Sequence, residues 1–185
     1  MKRIILASKS ARRKQLMDSL NIPYEIVAAD IDEKIDCEND LKKEIEKLSF
    51  LKALKVFNDN KDAIVIGADT IVVINNEVLG KPKNKDDAKR MLKLLQNNKH
   101  YVITGVTILS NDKSESFSNV SEVYFAPLDD LEIEDYLNSN ESMDKAGAYA
   151  IQGIGSKFIK KINGDYYSIM GFPISEVYTR LKNYL

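Results

Sequence analysis

Ile64-Val65-Ile66-Gly67-Ala68-Asp69-Thr70 is the stretch that decides the fold of this chain. A run of β-branched residues of this kind reads as a buried strand, and it breaks off in a glycine, an alanine and then a carboxylate. Groups that do chemistry often sit where such strands end, held by the strand and exposed by the loop. A desolvated aspartate without a partner is costly, so Asp69 requires a cation, a proton or a surface position. The competing reading makes Asp69-Thr70 a turn cap and nothing more.

Working outward, the strand is expected from Ala63 to Ala68, and Ile71-Val72-Val73-Ile74 continues as strand beyond Thr70. Asn75-Asn76 then supplies a tight hairpin turn, and Glu77-Val78-Leu79 returns. The hairpin leads into Gly80-Lys81-Pro82, where a lysine held by the chain could reach a phosphate. Upstream, Arg3 to Ala7 reads as a short buried strand and Ala11 to Leu20 as a helix, with Ser10 as its N-cap. Arg12 and Arg13 fall in the first turn of that helix, where cations oppose the dipole. Either they form a solvated face, or the free N–H groups, the hydroxyls of Ser8 and Ser10 and the two arginines make a phosphate site.

Tyr24 to Ala28 is expected as a strand, followed by an acidic loop from Asp30 to Asp40 in which Glu33 is the candidate to share a divalent ion. Leu41 to Phe57 has helical spacing through Leu41, Ile45, Leu48, Leu51 or Lys52, and Val56. Lys52 is solvated unless this helix leans on a site. Further on, Asp86 to Gln96 is expected as a helix. Tyr101 to Leu109 and Val120 to Phe125 are expected as a hairpin around the polar stretch Ser110 to Asn119, and Leu128 to Leu137 as an acidic helix. Asn138 to Glu141 reads as a loop. Asp144 to Gly153 is a string of small residues broken by Tyr149 and Gln152, suited either to a cleft wall or to a tightly packed turn. Phe158 to Ile162, Tyr167 to Met170 and a helix from Ile174 to Leu185 close the chain. The class these elements imply is α/β, with a central mixed, partly antiparallel sheet and flanking helices in one domain over 1–185.

With 44% apolar residues, 185 positions are enough for a sizeable core. A net charge of -1 gives no general attraction for nucleic acid or membrane, so any anion site must be a local cluster of Lys and Arg. The only cysteine, Cys37, cannot form an intramolecular disulfide, and no Cys/His spacing suggests zinc. No segment approaches the ~20 apolar residues of a membrane span, so a soluble, cytoplasmic protein is expected. His100, the one histidine, reads as an ordinary strand-edge residue with no catalytic partner nearby in sequence.

Leu6-Ala7-Ser8-Lys9-Ser10-Ala11-Arg12-Arg13, Gly67-Ala68-Asp69-Thr70, Gly80-Lys81-Pro82, Thr104-Gly105-Val106 and Asp144 to Gly153 resemble, in order and spacing, the motifs of the Maf family of nucleoside triphosphate pyrophosphatases. The resemblance runs from the first strand to the last helix. It departs at Ala11, where a proline is usual, at Phe50, where an arginine is frequent, and at Phe172, where leucine is usual. It implies two lobes around a nucleotide cleft, of the Maf/ITPase-like kind, a divalent cation (Mg²⁺ or Mn²⁺), and hydrolysis of the triphosphate to monophosphate and pyrophosphate.

Under that resemblance Asp69 is the proton acceptor, and Glu33 and Asp69 are the metal candidates. Ser8, Arg13, Lys52 and Lys81 hold the phosphates. Arg12, Thr70 and Gln152 are similar to the specificity positions of the subgroup acting on dTTP and UTP, with modified pyrimidine nucleotides as further substrates in a house-cleaning role. The Gln152 amide carries both a donor and an acceptor, which suits the O4 and N3–H edge of uracil or thymine. The partners expected are the nucleotide and a second copy of the chain as a homodimer, with no membrane and no nucleic acid. A second reading, from the family's association with septum formation, is a regulator of cell division that binds a partner or nucleic acid without catalysis. The near-neutral charge counts against it.

Overall fold

The computed structural model describes residues 2–185. Seven strands make one mixed sheet: β1 (Arg3–Leu6), β2 (Glu25–Ile26), β3 (Ala63–Ile74), β4 (Glu77–Leu79), β5 (Lys99–Leu109), β6 (Ser114–Phe125) and β7 (Ile159–Asn163). Their order is β2-β1-β3-β5-β6-β7, with β4 paired to β3. β1 runs parallel to both β2 and β3, whereas β4 is antiparallel to β3 and β7 to β6. Helices α1 (Ala11–Asp18), α2 (Leu41–Phe57), α3 (Lys85–Leu95), α4 (Asp130–Asn138), α5 (Tyr166–Met170) and α6 (Ile174–Leu181) are interspersed among the strands, with β3–β4 and β5–β6 following each other directly. The expected class, mixed α/β with flanking helices, is the one observed. Among the described residues no helix is long and apolar enough to cross a membrane.

The expected break at Asp69 is absent. β3 is one strand of 12 residues, and Asp69 lies inside it. Its neighbours explain why the position is nevertheless open. β1 follows β3 only from Ala63 to Ile66, and β4 joins it only at Val72, so residues 67–71 pair with neither. The hairpin after Ile74 is as expected, because Asn75 and Asn76 both take the positive φ that a two-residue turn requires, at 49° and 64°.

The chain divides into two units, Met1–Thr70 with Thr104–Asn119 and Gly171–Leu185, and Ile71–Ile103 with Val120–Met170. In the first, α2 packs Ala53, Val56 and Phe57 against Ile5, Ala7, Ala63, Val65 and Leu109. Asp40 caps this helix, its side chain accepting from the Lys42 N–H. The ambiguity at positions 51 and 52 resolves against hydropathy, since Leu51 is exposed and Lys52 is buried.

In the second unit Phe125, Tyr149, Phe158 and Tyr136 form a chain of aromatic contacts with ring centroids 4.8–6.2 Å apart. His100 belongs to this core and is not a strand-edge residue. It is fully buried in β5, edge-on to Phe125 and Tyr149, and its Nε2 shares a 2.8 Å hydrogen bond with the Tyr149 hydroxyl. Exposed Lys99 and Tyr101 flank it, so the strand alternates and sends the imidazole inward. Burial pushes the imidazole down from 6.5 to about 3. Above pH 6.5 it is neutral in both folded and unfolded chains, and its contribution to stability is complete. Between 6.5 and about 3 only the unfolded chain takes up the proton, so stability falls with pH by about 1.4 kcal/mol per unit. Urea titrations at pH 7, 6 and 5 should show this slope, and His100→Gln should flatten it.

Other expected boundaries shift as well, the last helix ending at Leu181 and the acidic helix running Asp130–Asn138. β2 is only two residues long, with both side chains exposed, and lies along Ile5 and Leu6 of β1. β6 begins at Ser114, so most of the expected polar connection is strand and the turn shrinks to Ser110–Lys113, closed by the Ser110 N–H on the Lys113 carbonyl at 2.8 Å. Tyr166–Met170 is a short helix, started where the Asp165 carboxylate accepts the Tyr167 N–H.

Candidate active site

The site grows from the turn after β1 and the middle of β3, where neither β1 nor β4 pairs with it. β1 ends at Leu6, and the chain bends through Ser8 to Ser10, whose hydroxyl caps α1 by accepting the Arg13 N–H. Ala11 takes the first helical position in place of a proline, and the helix starts there all the same. The bend buries Ser8, whose hydroxyl accepts the Ser10 N–H at 3.2 Å and Arg13 Nη1 at 3.4 Å.

Arg13 is therefore not part of a solvated face. Its guanidinium is buried and spread over three partners: Nε donates to the Gly171 carbonyl at 2.8 Å, Nη2 to the Thr70 hydroxyl at 3.1 Å, and Nη1 to Ser8. Gly171 can serve as a carbonyl partner here because its φ of +107° turns the backbone in a way few other residues adopt. Burial lowers the Arg13 pKa and neighbouring Arg12 lowers it further, while Asp69 and Glu33 pull it back up.

Asp69 is the anion between these cations. Lys52 Nζ lies 3.0 Å from its Oδ2, and Arg13 Nη2 lies 4.0 Å from its Oδ1, which also accepts the Thr70 N–H at 2.8 Å. Lys52 also touches Glu33 Oε1, at 2.6 Å, so one ammonium bridges the two carboxylates. Lys52 can therefore occupy a buried helix face: it is paired, as a buried ammonium must be. The Thr70 hydroxyl, a sequence candidate for reading a base, is bonded on two sides, to Arg13 and to Thr104 Oγ1 at 2.9 Å. Thr104 belongs to the site although the sequence assigns it no role, and its place in Thr104-Gly105-Val106 is the one signal that could have found it.

α2 can bring Lys52 this close because two strand glycines let its backbone in. A Cβ on Gly67 would stand 2.3 Å from the Ser49 carbonyl oxygen, and one on Gly105 would stand 2.5 Å from that of Ile45. A hydroxyl chain with 2.8 Å links, from buried Ser49 and Thr107 out to exposed Ser116, ties the same helix to β5 and β6.

Ser8, Arg13, Glu33, Lys52, Asp69 and Thr70 are thus gathered in the first unit, with Arg12, half-buried, next to Arg13. Lys81 and Gln152 belong to the second unit, and both are exposed. Their segments are joined there, since the Gly147 N–H donates to the Gly80 carbonyl at 3.1 Å. Gly147 has a φ of +68° and lies against Val72, which makes the small-residue string a tightly packed turn at this point. Among the described residues no group of three or more His, Cys, Asp or Glu side chains is placed to hold a metal ion.

A half-buried carboxylate clamped between two cations, beside a capped helix start on a mixed α/β sheet, makes this cluster the candidate active site of an enzyme. A protein named dTTP/UTP pyrophosphatase from Bacillus cereus (strain G9842) is 46% identical over 184 residues, covering 100% of this chain and 96% of that one. A protein of the same name from Bacillus velezensis is 45% identical over 183 residues, covering 99% and 97%. The chain belongs to the Maf-like protein family, whose model matches residues 3–184. Among solved structures, the Staphylococcus aureus Ham1 protein is similar over 68% of this chain and 72% of its own, with 16% identity and a TM-score of 0.45.

Proposed function

We propose that the chain hydrolyses dTTP and UTP, and modified pyrimidine triphosphates of the same edge chemistry, to the monophosphate and pyrophosphate. The observation that carries this reading is Asp69, held rigidly by β3 with its carboxylate between Lys52 and Arg13. The names and full-length similarity of the relatives support the substrate. In this mechanism Asp69 accepts a proton from the water that attacks the α-phosphorus. The P–O bond to the β-phosphate breaks, and pyrophosphate leaves with the electron pair. Lys52 and Arg13, buried where charge develops, stabilise the transition state more than they would in water. Arg13 needs no reorganisation to do so, because Ser8, Thr70 and Gly171 already fix its fork. Lys81 takes the remaining phosphate charge. Gln152 and Arg12 read the base, while Thr70 acts on specificity through the Arg13 it holds.

A divalent ion fits this donor set. Glu33 and Asp69 already share one cation, the Lys52 ammonium, and both present hard oxygen ligands of the kind Mg²⁺ and Mn²⁺ prefer. Two carboxylates do not complete a coordination sphere, so the ion would be held jointly with the substrate phosphates. When bound it would supply Lewis-acid polarisation of phosphate oxygens and a more acidic water.

The test is pyrophosphate release from a panel of ribo- and deoxynucleoside triphosphates with Mg²⁺ or Mn²⁺. dTTP and UTP should turn over fastest, and chelation by EDTA should stop turnover. A purine triphosphate at the head of the panel would refute the base assignment. Tight nucleotide binding with no release would favour the non-catalytic regulator instead.

A further inference from the structure

Glu141 falls in a stretch that reads from sequence as a loop, yet its carboxylate is one of the most heavily bonded on the chain. Its Oε1 accepts the Ile154 N–H at 2.9 Å, and its Oε2 accepts both the Gly155 N–H at 3.0 Å and the Tyr136 hydroxyl at 2.9 Å. Its own carbonyl accepts from Lys145 Nζ at 3.1 Å. Tyr136 is in turn fully buried in α4 and stacks edge-on to Phe158, with ring centroids 5.1 Å apart. The carboxylate is thus anchored to the core of the second unit at one end, and to two consecutive backbone amides at the other. Burial raises the Glu141 pKa, but the backbone N–H groups of Gly155 and Ile154 and the Tyr136 hydroxyl outweigh it and leave the group below its usual value. At neutral pH it is an acceptor only, matched to three donors.

Those two amides follow Gln152 by two and three residues. Gly153, just before them, lies so close to the carboxylate that a Cβ there would stand 1.8 Å from Oε1. On the other side of Gln152, the string is pinned by the Gly147 N–H on the Gly80 carbonyl. Gln152 itself is exposed, so no surrounding core locks its side chain. The backbone on either side is therefore what sets where its amide is presented.

We propose that Glu141 is a positioning residue for base selection: by clamping the Ile154 and Gly155 amides it fixes the Gln152 side chain against the O4 and N3–H edge of the pyrimidine. The proposal rests on the reading of Gln152 as the base-recognising residue. Gly153 is the complement of the clamp, the one residue type that lets the carboxylate reach over the turn.

The experiment is steady-state kinetics on the full chain with UTP and CTP, which differ at the edge that Gln152 would read. Glu141→Ala should lower kcat/KM for UTP roughly tenfold, mainly through KM, and should narrow the UTP-over-CTP ratio toward that of Gln152→Ala, as expected when a displaced amide no longer bonds the base. Gly153→Ala should do the same, because its Cβ evicts the carboxylate. Placed in the Glu141→Ala background it should add less than about twofold, since the two changes remove one interaction. Glu141→Gln keeps the side-chain volume and one acceptor oxygen, and should fall between wild type and Glu141→Ala. It also serves as the deciding variant if the alanine does not fold. An unchanged UTP-over-CTP ratio in the Glu141 variants, with that ratio lowered in Gln152→Ala, overturns the positioning role alone. An equal loss of kcat for both nucleotides also overturns it, marking Glu141 as merely structural. A ratio unchanged in Gln152→Ala overturns the reading of Gln152 and the proposal with it.

Discussion

Asp69→Asn should reduce pyrophosphate release by about 10²–10⁴-fold while the far-UV circular dichroism spectrum stays that of the native chain. The substitution is nearly isosteric, and its carbonyl oxygen can still accept the Thr70 N–H that Asp69 Oδ1 accepts at 2.8 Å. What it cannot do is take a proton from water at neutral pH. The amide nitrogen would also face Lys52 Nζ, which now lies 3.0 Å from Oδ2, and two donors there repel. Lys52 would keep Glu33, at 2.6 Å, but Arg13 would no longer have the Asp69 carboxylate at 4.0 Å. An uncompensated, partly buried cation of this kind costs on the order of 2 kcal/mol. For a chain of this length that corresponds to a Tm lower by roughly 4–8 °C. The two readouts separate the roles: a small shift in Tm with loss of turnover assigns Asp69 to chemistry. Turnover within tenfold of wild type would remove it from the mechanism.

How much of this site is legible in the sequence depends on the range of the contact. The strand at Ile64–Ile66 is a contiguous apolar run, and the cap at Ser10 is a local pattern, so both can be read directly. The setting of Asp69 inside a longer strand cannot, because the gap beside residues 67–71 arises from where β1 and β4 stop and start rather than from β3 itself. Lys52 sits at the margin of an amphipathic stripe, where a period of 3.6 does not choose between neighbours. Its burial follows from two carboxylates that lie 17 and 19 positions away. His100 carries a readable signal in the alternation of Lys99, His100, Tyr101 and Val102, and the polar character of its neighbours masks it. Glu141 carries none, since the amides it holds lie 13 and 14 residues downstream and belong to a backbone that any residue has. The arginine pair at the start of α1 admits two readings in sequence, and the fold splits them: Arg13 is buried on Gly171, Thr70 and Ser8, and Arg12 remains half-buried.

Gly67→Ala should be as damaging to turnover as the loss of a charged site residue, although it adds one methyl group and touches no substrate. The added carbon would stand 2.3 Å from the Ser49 carbonyl oxygen and 2.7 Å from the Ala53 nitrogen, both main-chain atoms of α2. No side-chain rotation relieves that clash, so the helix must retreat by about an ångström, at a cost of roughly 1–3 kcal/mol for overpacking alone. The retreat strains the 2.8 Å hydrogen bond between Ser49 and Thr107 that seats the helix. Lys52 lies between Ser49 and Ala53 in sequence and must move with them. Its ammonium then leaves its place 3.0 Å from Asp69, and a misplacement of this size can cost about 10²-fold in rate. Gly80→Ala is the control, because a Cβ there meets nothing within 4 Å and φ is ordinary. Thermal unfolding should show a clear drop in stability for the first variant and almost none for the second. If Gly67→Ala kept its rate within a few-fold while losing stability, Lys52 would not owe its place to the approach of α2, and the glycine would belong to packing alone.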